Sequence, residues 1–400
     1  MTKALSGIRV LDLSRVLAGP WSTQMLGDLG AEIVKVEKPG EGDDTRKWGP
    51  PWHGPEERRR AAYYLAANRN KRSVTVDIAH PVGQALVRRL AEGSDILVEN
   101  FKLGGLAKFG LDYASLKAIN PRLIYCSITG FGQTGPDAAK PGYDLMIQAM
   151  SGFMSITGNA EGPPRRMGVA LVDVMTGLHA TIAVLAALHQ REGTGEGQHI
   201  DIALFDVAVS ALANQALNYL VSGVAPERTG NGHPNIVPYQ PFETADGWLI
   251  VAVGNDAQFR RFVELIGRPG LADDARYATN SERVAHRADL VPLIAAVMPA
   301  QTTAAWTEAL AAINVPCGPI NTIEQALAEP QALHRGLSGS VADAAGLEVP
   351  VVASPLRLAA SPPDPGAPPP MLGEHTEEVL RDLLELPDEE IARLREIGVI

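Results

Sequence analysis

The run IRVLDLS (8–14), followed by AGPWSTQMLGDLG (18–30) and AEIVKVEK (31–38), decides the fold of this chain. The first and last runs are short, apolar and rich in branched side chains, which is typical of buried strands. The middle run has apolar residues at helical spacing and ends at Gly30, which is typical of a helix and its stop signal. Together the three runs predict a β-α-β unit.

The same alternation continues along the chain. We predict strands over 72–78, 95–101 and 123–129, with a helix from Pro81 to about Ala91 after the first of them. Strands that alternate with helices predict a mostly parallel sheet covered on both faces, with right-handed crossovers. The expected fold class is therefore α/β, and ligands in such sheets bind at the carboxyl ends of the strands.

The pattern changes in the second half of the chain. An apolar helix over 174–190 is followed by a strand and then by a linker helix over 206–224. Beyond it, a hairpin around Asp246-Gly247 and three helical patterns predict a smaller α+β domain over 225–325. Residues 1–205 are then the N-terminal part of a larger domain.

The last part of the chain, 326–400, is predicted as a return linker, a Pro-rich arm and two short amphipathic helices. The arm, over 349–375, is too irregular for a core but can lie extended on another surface.

Composition limits the classes of function. Of the 400 residues 46% are hydrophobic, and 35 Lys and Arg against 46 Asp and Glu give a net charge of −11. This balance excludes a large basic surface for nucleic acid or for an anionic membrane. Any anionic ligand must therefore be held by local groups.

Cysteine usage and hydropathy indicate the compartment. Cys126 and Cys317 are too few for a disulfide framework or a cysteine-rich zinc site, and they suit a reducing compartment, so we expect a cytoplasmic protein. No uncharged stretch approaches the ~18 residues of a membrane-spanning helix, so we expect a soluble one. Cys126 lies inside an apolar strand and is interpreted as a core residue.

The run GFGQTG (130–135) fits the dinucleotide-binding pattern G-x-G-x-x-G after a predicted strand. Pro136 and Asp137 follow at once, however, and no helix begins at the loop to receive a pyrophosphate. We therefore expect a plain glycine loop whose N–H groups can face a ligand, and neither NAD nor flavin as cofactor.

Metal and hydrolase motifs are missing from the sequence. His179 and His189 are ten residues apart on the apolar helix, and no H-E-x-x-H or aspartate-rich loop is present. There is also no nucleophile elbow and no phosphate-binding P-loop. We expect no metal site.

Asp173, in GVALVDVMTGLHA (168–180), has two compatible interpretations. It sits just before the apolar helix, where an aspartate commonly serves as N-cap. A carboxylate held there is expected to stay ionised at neutral pH, and in an open cleft it can attack an activated carbonyl.

A basic cluster interrupts the acidic chain. It comprises NRNKRS (68–73) together with Lys35, Lys38 and Arg46. It is either a solvated surface or a site for an anionic nucleotide tail at the mouth of the first β-α-β unit, close to Arg15.

Several runs together resemble the class III CoA-transferases, the CaiB/BaiF family, in that family's order. They are LDLSRVLAGPWSTQMLGDLGAEIVKVEKPGEGDDTR (11–46), NKRSVTVDI (70–78), VENFKLGGLAKFGLDYASLKAINPRLIYCSITGFGQTGP (98–136), GYDLMIQAMSG (142–152), TGNAEGPPRRMGVALVDVMTG (157–177) and GTGEGQHIDIAL (193–204).

The resemblance implies a fold and an assembly. It implies a Rossmann-like large domain built from both chain ends, with the small domain between them, in an interlocked homodimer. Residues 326–400 would complete the large domain, and the Pro-rich arm would wrap the partner.

The resemblance also implies a reaction and its residues. The substrates would be an acyl-CoA and a carboxylic acid, with coenzyme A as the carried group, and the nucleophile would be Asp173 of the motif DVMTG (173–177). Glycines and their neighbour in the loop after residue 229 would close over the nucleophile. The residues implied for binding CoA and substrate are Arg15, Val16, Leu17, Ala18, Lys38, Arg72, Asn100, Phe101, Lys108, Phe109 and Tyr143, and those of the loop are Gly230, Asn231 and Gly232.

Two positions depart from relatives with other substrates. Leu17 stands where formyl-CoA:oxalate transferases carry Gln, and Tyr143 stands where the racemase branch carries His. The run GNGHPNIVPYQPFETADGWLIVAVGNDAQF (230–259) most resembles the branch that moves CoA from succinyl-CoA to glutarate or related dicarboxylates. Three alternatives stay open: an α-methylacyl-CoA racemase, a dehydrogenase using the loop over 130–135, and a non-catalytic CoA-binding dimer.

Overall fold

The computed structural model describes residues 2–363 and 366–400 of the chain, so residues 364 and 365 of the predicted Pro-rich arm lie outside the described part. The chain divides into two compact units. Unit 1 comprises Met1–Gly152, Met167–Ala216 and Pro330–Ile400, and unit 2 comprises Phe153–Arg166 and Leu217–Glu329. Unit 1 therefore contains both ends of the chain.

The strands, in chain order, are β1 (Arg9–Asp12), β2 (Glu32–Glu37), β3 (Trp52–His53), β4 (Arg60–Ala61), β5 (Lys71–Thr75), β6 (Ile96–Glu99), β7 (Ile124–Thr129), β8 (His199–Ala203), β9 (Tyr239–Glu243), β10 (Trp248–Ala252), β11 (Cys317–Pro319), β12 (Ser338–Ala342) and β13 (Glu348–Val352).

The α-helices, in chain order, are α1 (Ala18–Asp28), α2 (Ala62–Leu65), α3 (Pro81–Glu92), α4 (Tyr113–Ile119), α5 (Asp144–Met150), α6 (Phe153–Ile156), α7 (Leu171–Thr194), α8 (Leu204–Ser210), α9 (Ala213–Ser222), α10 (Asp256–Leu265), α11 (Asn280–Ala285), α12 (Arg287–Ala295), α13 (Thr303–Ala312), α14 (Ile323–Ala328), α15 (Pro330–His334), α16 (Thr376–Leu384) and α17 (Asp388–Glu396).

A six-stranded sheet forms the centre of unit 1. Its strand order is β5-β2-β1-β6-β7-β8, and every neighbouring pair is parallel. The alternation of strands and helices in the sequence predicted such a sheet, and the α/β class is confirmed. From β1 the chain continues to β2, which lies on one side of β1 in the sheet, whereas β6 lies on the other side of β1. The carboxyl ends of β1 and β6 therefore flank a topological switch point, where open α/β sheets bind their ligands.

Helices from both ends of the chain cover one face of this sheet. Val87 of α3, Leu380 of α16 and Leu394 of α17 are fully or almost fully buried in one apolar cluster with Leu11 of β1 and Val34 of β2. The two C-terminal amphipathic helices thus bury their apolar stripes on the sheet and complete unit 1.

Helices α1 and α7 pack closely together, and Gly177 explains how. A Cβ atom at this position would lie 2.7 Å from the carbonyl oxygen of Ala18 and 3.1 Å from the Cβ of Trp21. Only glycine permits such an approach. Because Asp173 precedes Gly177 by about one helical turn, this packing brings Asp173 to the beginning of α1.

Helix α7 differs from one expectation. By length and apolar composition alone, Leu171–Thr194 could cross a membrane, and the bent pairs α8 with α9 and α12 with α13 pass the same test if each is counted as one span. The expectation that no stretch approaches that length was wrong for α7. In the structure α7 packs along α1, β7 and β8.

Unit 2 is built on a three-stranded antiparallel sheet of order β11-β10-β9. Trp248 pairs with Glu243 across the hairpin that was predicted around Asp246-Gly247. Four helices, α10 to α13, follow the hairpin, one more than predicted, and they surround an apolar core that includes Phe259, Phe262 and Trp306.

Two further elements differ from the sequence predictions. The linker helix predicted over 206–224 is broken into α8 and α9, and Ala213 at the break has a φ of 47°. The Pro-rich arm begins as strand β13, which pairs with β12. Pro350 is tolerated there because a two-stranded sheet consists only of edge strands. Farther along, the N–H of Asn70 donates to the carbonyl of Ala367 at 2.9 Å, and the N–H of Ala367 donates to the side-chain Oδ1 of Asn70 at 2.8 Å, so this part of the arm lies against unit 1 of the same chain.

Candidate active site

A cavity of about 430 Å³ lies at the switch point of unit 1. Segments that follow β1, β6 and β7 form its walls, as expected for ligand sites in parallel sheets. The predicted site residues that line it are Arg15, Val16, Leu17, Ala18, Asn100, Phe101, Lys108, Phe109, Tyr143 and Asp173. These residues come from four separate parts of the sequence, and the fold brings them together.

A second cavity of about 280 Å³ shares a wall with the first. Arg15, Phe101 and Phe109 line both cavities, and the predicted residue Lys38 lines the second. The Nζ atom of Lys38 donates a hydrogen bond of 2.6 Å to Glu41.

Arg72 lies elsewhere. It is on β5, and its guanidinium donates to Glu32 at 2.6 Å and to Glu378 at 2.8 Å. It lines neither cavity, so the role expected for Arg72 toward phosphates has no support in the geometry.

The predicted active-site loop belongs to unit 2. Gly230 has a φ of 63°, which favours glycine, and its N–H donates to the carbonyl of Gly158 at 3.0 Å. Thr229 Oγ1 donates to the carbonyl of Gly232 at 2.7 Å, and Asn231 between the two glycines is exposed. The functional role of this loop stays a prediction.

Asp173 is not the N-cap of α7. The helix begins at Leu171, and Ala170 occupies the cap position without any side-chain hydrogen bond. Asp173 is the third residue of the helix. The cap comes from α5, because Asp144 Oδ2 accepts hydrogen bonds from the N–H of Val172 at 2.8 Å and from that of Asp173 at 3.2 Å.

The charge state of Asp173 follows from this arrangement. Burial, and next the negative charge of Asp144, raise the pKa of Asp173 to about 7. No described residue donates a hydrogen bond to the Asp173 carboxylate that would lower this pKa. The expectation that Asp173 is fully ionised at neutral pH was therefore wrong: both protonation states are populated near pH 7. A carboxylate with these properties at a cavity wall is a candidate nucleophile.

The segment after β1 reaches the cavity in a strained conformation. Asn100 fixes Arg15, accepting from its N–H at 2.9 Å and donating to its carbonyl at 2.7 Å. The next residue, Val16, has a φ of 72°. A conformation of this kind costs on the order of 1–3 kcal/mol and persists only where surrounding contacts impose it.

Three residues near the site were not singled out from the sequence. Besides Asp144, they are Tyr63 and Trp48, whose rings meet edge to face at 5.0 Å. Burial raises the pKa of Tyr63, and the charges of Asp173 and Asp144 raise it further, so Tyr63 lies within electrostatic reach of Asp173. No motif marks Tyr63 or Trp48. The one sequence signal for Asp144 was its position directly after Tyr143, which the resemblance already placed in the site.

The glycine loop over 130–135 does not lead into a helix; the next helix, α5, begins at Asp144. Two of its amides already have partners in the protein: the N–H of Gln133 donates to Asp201 and that of Gly132 donates to Thr129, both at 2.9 Å.

Neither metal ligands nor a reactive thiol are found near the cavity in the described part of the chain. Among residues 2–363 and 366–400, no group of three or more His, Cys, Asp and Glu side chains could hold a metal ion. Cys126 is fully buried, and burial raises the pKa of its thiol, which agrees with a core residue.

Comparison with known proteins identifies the family. The family model of CoA-transferase family III matches residues 5–376. The chain is 52% identical to the succinate–glutarate CoA-transferase of Agrobacterium fabrum, over 95% of each chain. It is 42% identical to the human succinyl-CoA:glutarate CoA-transferase, over 100% of this chain and 90% of the human protein. The crystal structure of a CaiB/BaiF family protein from Brucella suis superposes with a TM-score of 0.86 at 50% identity, covering 96% of this chain and 100% of that one. The chain thus belongs to CoA-transferase family III.

Proposed function

We propose that this enzyme transfers CoA from succinyl-CoA to glutarate or a similar dicarboxylate, with Asp173 as the nucleophile. One observation carries the proposal. Asp173 lines a cavity of about 430 Å³, and its carboxylate does not cap its own helix. Asp144 caps α7 instead, by accepting hydrogen bonds from its first N–H groups. The two relatives that are named as CoA-transferases for succinate or succinyl-CoA and glutarate support the choice of substrates.

The first step forms an anhydride. An oxygen of the ionised Asp173 attacks the thioester carbonyl of the donor, the carbon–sulfur bond breaks, and CoA leaves as a thiolate. The product is a mixed anhydride between Asp173 and the donor acid. Acylation removes a desolvated negative charge beside Asp144, so the repulsion that raises the pKa of Asp173 also favours this step.

The remaining steps exchange the acids. The thiolate attacks the aspartyl carbonyl and releases the donor carboxylate, leaving a thioester between Asp173 and CoA. The acceptor carboxylate attacks this thioester, forms a second anhydride and expels CoA thiolate again. The thiolate then attacks the acceptor's carbonyl, which yields the new acyl-CoA and restores the carboxylate of Asp173. One thioester replaces another, so no other energy source is required.

The two adjoining cavities suit a long, anionic thioester substrate. We propose that CoA lies along both of them, with its acyl end toward Asp173. Phe101 and Phe109 line both cavities and offer apolar contacts for the pantetheine or the adenine. Lys108, whose Nζ lies 4.6 Å from the ring centre of Phe109, and Lys38 supply positive charge for phosphates.

The proposal includes an interlocked homodimer in the cytoplasm. On α7 the apolar side chains of Leu178 and Ile182 are exposed, Ile182 by 64%. An apolar helix of this length with an exposed face needs a cover, and a second copy of the chain supplies one. The cysteines Cys126 and Cys317 are both unpaired, which supports a reducing compartment.

A panel of acceptors tests the proposal. The purified enzyme is incubated with succinyl-CoA and one acid at a time from glutarate, malate, itaconate, citramalate, carnitine and oxalate, and new acyl-CoA species are measured by mass spectrometry. We expect glutarate to be the fastest acceptor. Fast carnitine with inert glutarate would overturn the choice of branch. Exchange of the α-proton with solvent deuterium in the absence of any acceptor would indicate the racemase instead.

A further inference from the structure

Val16 is held in a backbone conformation that its side chain disfavours. Its φ of 72° lies in the left-handed region, where a β-branched residue is a rare outlier. In the described part of the chain the other non-glycine residues at positive φ are not β-branched; they are Asn70, Ala213, Asn314 and Glu385. Specific contacts must therefore impose this conformation on Val16.

Asp43 makes the contact that does so. Its two carboxylate oxygens lie 3.2 and 3.3 Å from the backbone nitrogen of Val16, and one of them also accepts from the N–H of Thr45 at 3.0 Å. The other accepts from Lys35 Nζ at 3.0 Å. Both side chains of this ion pair are completely buried. Asp43 thus acts as a fixed acceptor inside the protein.

Lys35 extends the contact to the residue before Arg15. Its Nζ atom donates to the carbonyl of Ser14 at 2.8 Å as well as to Asp43. The ion pair therefore holds the backbone on both sides of Arg15. Burial by itself raises the pKa of Asp43, but the charge of Lys35 and the hydrogen bonds of Thr45 outweigh it and hold that pKa below its usual value.

From these contacts we infer that Asp43 and Lys35 are positioning residues for the transfer reaction. They hold Val16 in its left-handed conformation and so fix the path of residues 16–18 along the cavity that contains Asp173. Neither residue lines that cavity. Asp43 lies at the wall of the second cavity, but its side chain is completely buried, and both residues act through the backbone of the segment. The inference rests on the proposed transferase function.

A rescue experiment tests this role. Asp43→Asn removes the charge that binds Lys35 and weakens the acceptor for the Val16 N–H, so Val16 is expected to relax toward negative φ. A displacement on the order of 1 Å in an active site costs about 100-fold in rate. We expect kcat for transfer from succinyl-CoA to glutarate to fall at least about 10-fold. Glycine adopts positive φ without penalty. In a Val16→Gly background, Asp43→Asn should therefore lower kcat by less than about 3-fold.

Two further variants keep the test decisive. Asp28, a buried carboxylate whose Oδ1 accepts from Arg69 at 2.8 Å and from Asn70 at 2.9 Å, is the matched control: the effect of Asp28→Asn should be the same with Val16 and with Val16→Gly. If Asp43→Asn does not fold, replacing the pair by Lys35→Met with Asp43→Leu avoids an unpaired buried charge and still removes the acceptor. The same rescue is then expected.

The outcomes separate this inference from the proposed function. A wild-type enzyme that transfers no CoA contradicts the proposed function. If the wild-type enzyme is active and Asp43→Asn lowers kcat by the same factor with Val16 as with Val16→Gly, the positioning role is overturned. A crystal structure of Asp43→Asn in which Val16 keeps a φ near 70° overturns it as well, whatever the activity.

Discussion

Asp144 accepts a hydrogen bond from the backbone N–H of Asp173, with Oδ2 3.2 Å from that nitrogen. The same contact caps α7 and places a second negative charge beside the proposed nucleophile, Asp173. It leaves the side chain of Asp173 free for chemistry, and burial together with the charge of Asp144 raises the pKa of Asp173 to about 7. Several expected results follow from this pair of residues.

Asp173 should be essential for the reaction but not for the fold. Asp173→Ala removes the group that is acylated, so we expect transfer from succinyl-CoA to fall by more than about 1,000-fold. Binding of free CoA, measured by calorimetry, should change little, because the residues proposed to bind CoA are others. Retention of more than a small fraction of activity would show that the nucleophile lies elsewhere.

The rate should depend on pH through the ionisation of Asp173. Only the carboxylate attacks, so kcat/KM for succinyl-CoA is expected to rise with a midpoint near pH 7 and level off about one unit higher. Asp144→Asn removes the neighbouring charge, and the midpoint should move to lower pH. Asp388→Asn, on the exposed face of α17, is the control and should leave the profile in place. Identical profiles for all three proteins would contradict the role of Asp144.

The same pKa predicts a pH-dependent effect on stability. The pKa of Asp173 is higher in the folded protein than in the unfolded chain, so the folded state loses stability as pH rises from about 4 to about 7. Asp173→Asn removes this loss. At pH 8 the variant should be more stable than the wild type by about 1–2 kcal/mol, allowing for the solvent that reaches the side chain.

Thermal unfolding of Asp173→Asn and wild type, at pH 8 and at pH 4, measures this difference. The two proteins should unfold at nearly the same temperature at pH 4, where Asp173 is protonated in the folded state and about half protonated in the unfolded chain. A variant that is less stable than wild type at pH 8 would contradict the charge state assigned to Asp173.

Two glycines of α7 provide a matched pair for the packing of α7 on α1. Gly177→Ala places a Cβ 2.7 Å from the carbonyl oxygen of Ala18 and should destabilise the protein by about 1–3 kcal/mol. A Cβ at Gly193 meets nothing within 4 Å, so Gly193→Ala should stabilise it by up to about 1 kcal/mol through helix propensity. Denaturant unfolding of the two variants measures both effects. Equal effects at the two positions would refute the close approach at Ala18.

The parallel sheet could be predicted from the sequence because it depends on local patterns, whereas the residues of the cavity were implied by the resemblance to a known family. Alternating strand and helix patterns dictate a parallel sheet, and the carboxyl ends of its strands meet at one edge. Residues 15–18 after β1 and Asn100 after β6 therefore had to lie near each other. The resemblance to a known family then selected Asp173 from among the carboxylates.

What the sequence did not reveal depends on contacts between distant residues. Asp144 caps a helix that begins 27 residues later, and no local spacing marks such a partner. The left-handed conformation of Val16 runs against the preference of its own side chain, and the contact of its N–H with Asp43 joins residues 27 positions apart. The break between α8 and α9 contains neither Gly nor Pro, so no helix-breaking residue in the sequence predicts it.

The central claim is that Asp173 becomes covalently acylated during turnover. The direct measurement is to incubate the enzyme with succinyl-CoA, trap the anhydride or thioester with hydroxylamine or borohydride, and locate the modified peptide by mass spectrometry. The account predicts that the modification lies on Asp173 and disappears in Asp173→Asn. Turnover with an unmodified Asp173, and a label on any other residue, would contradict it.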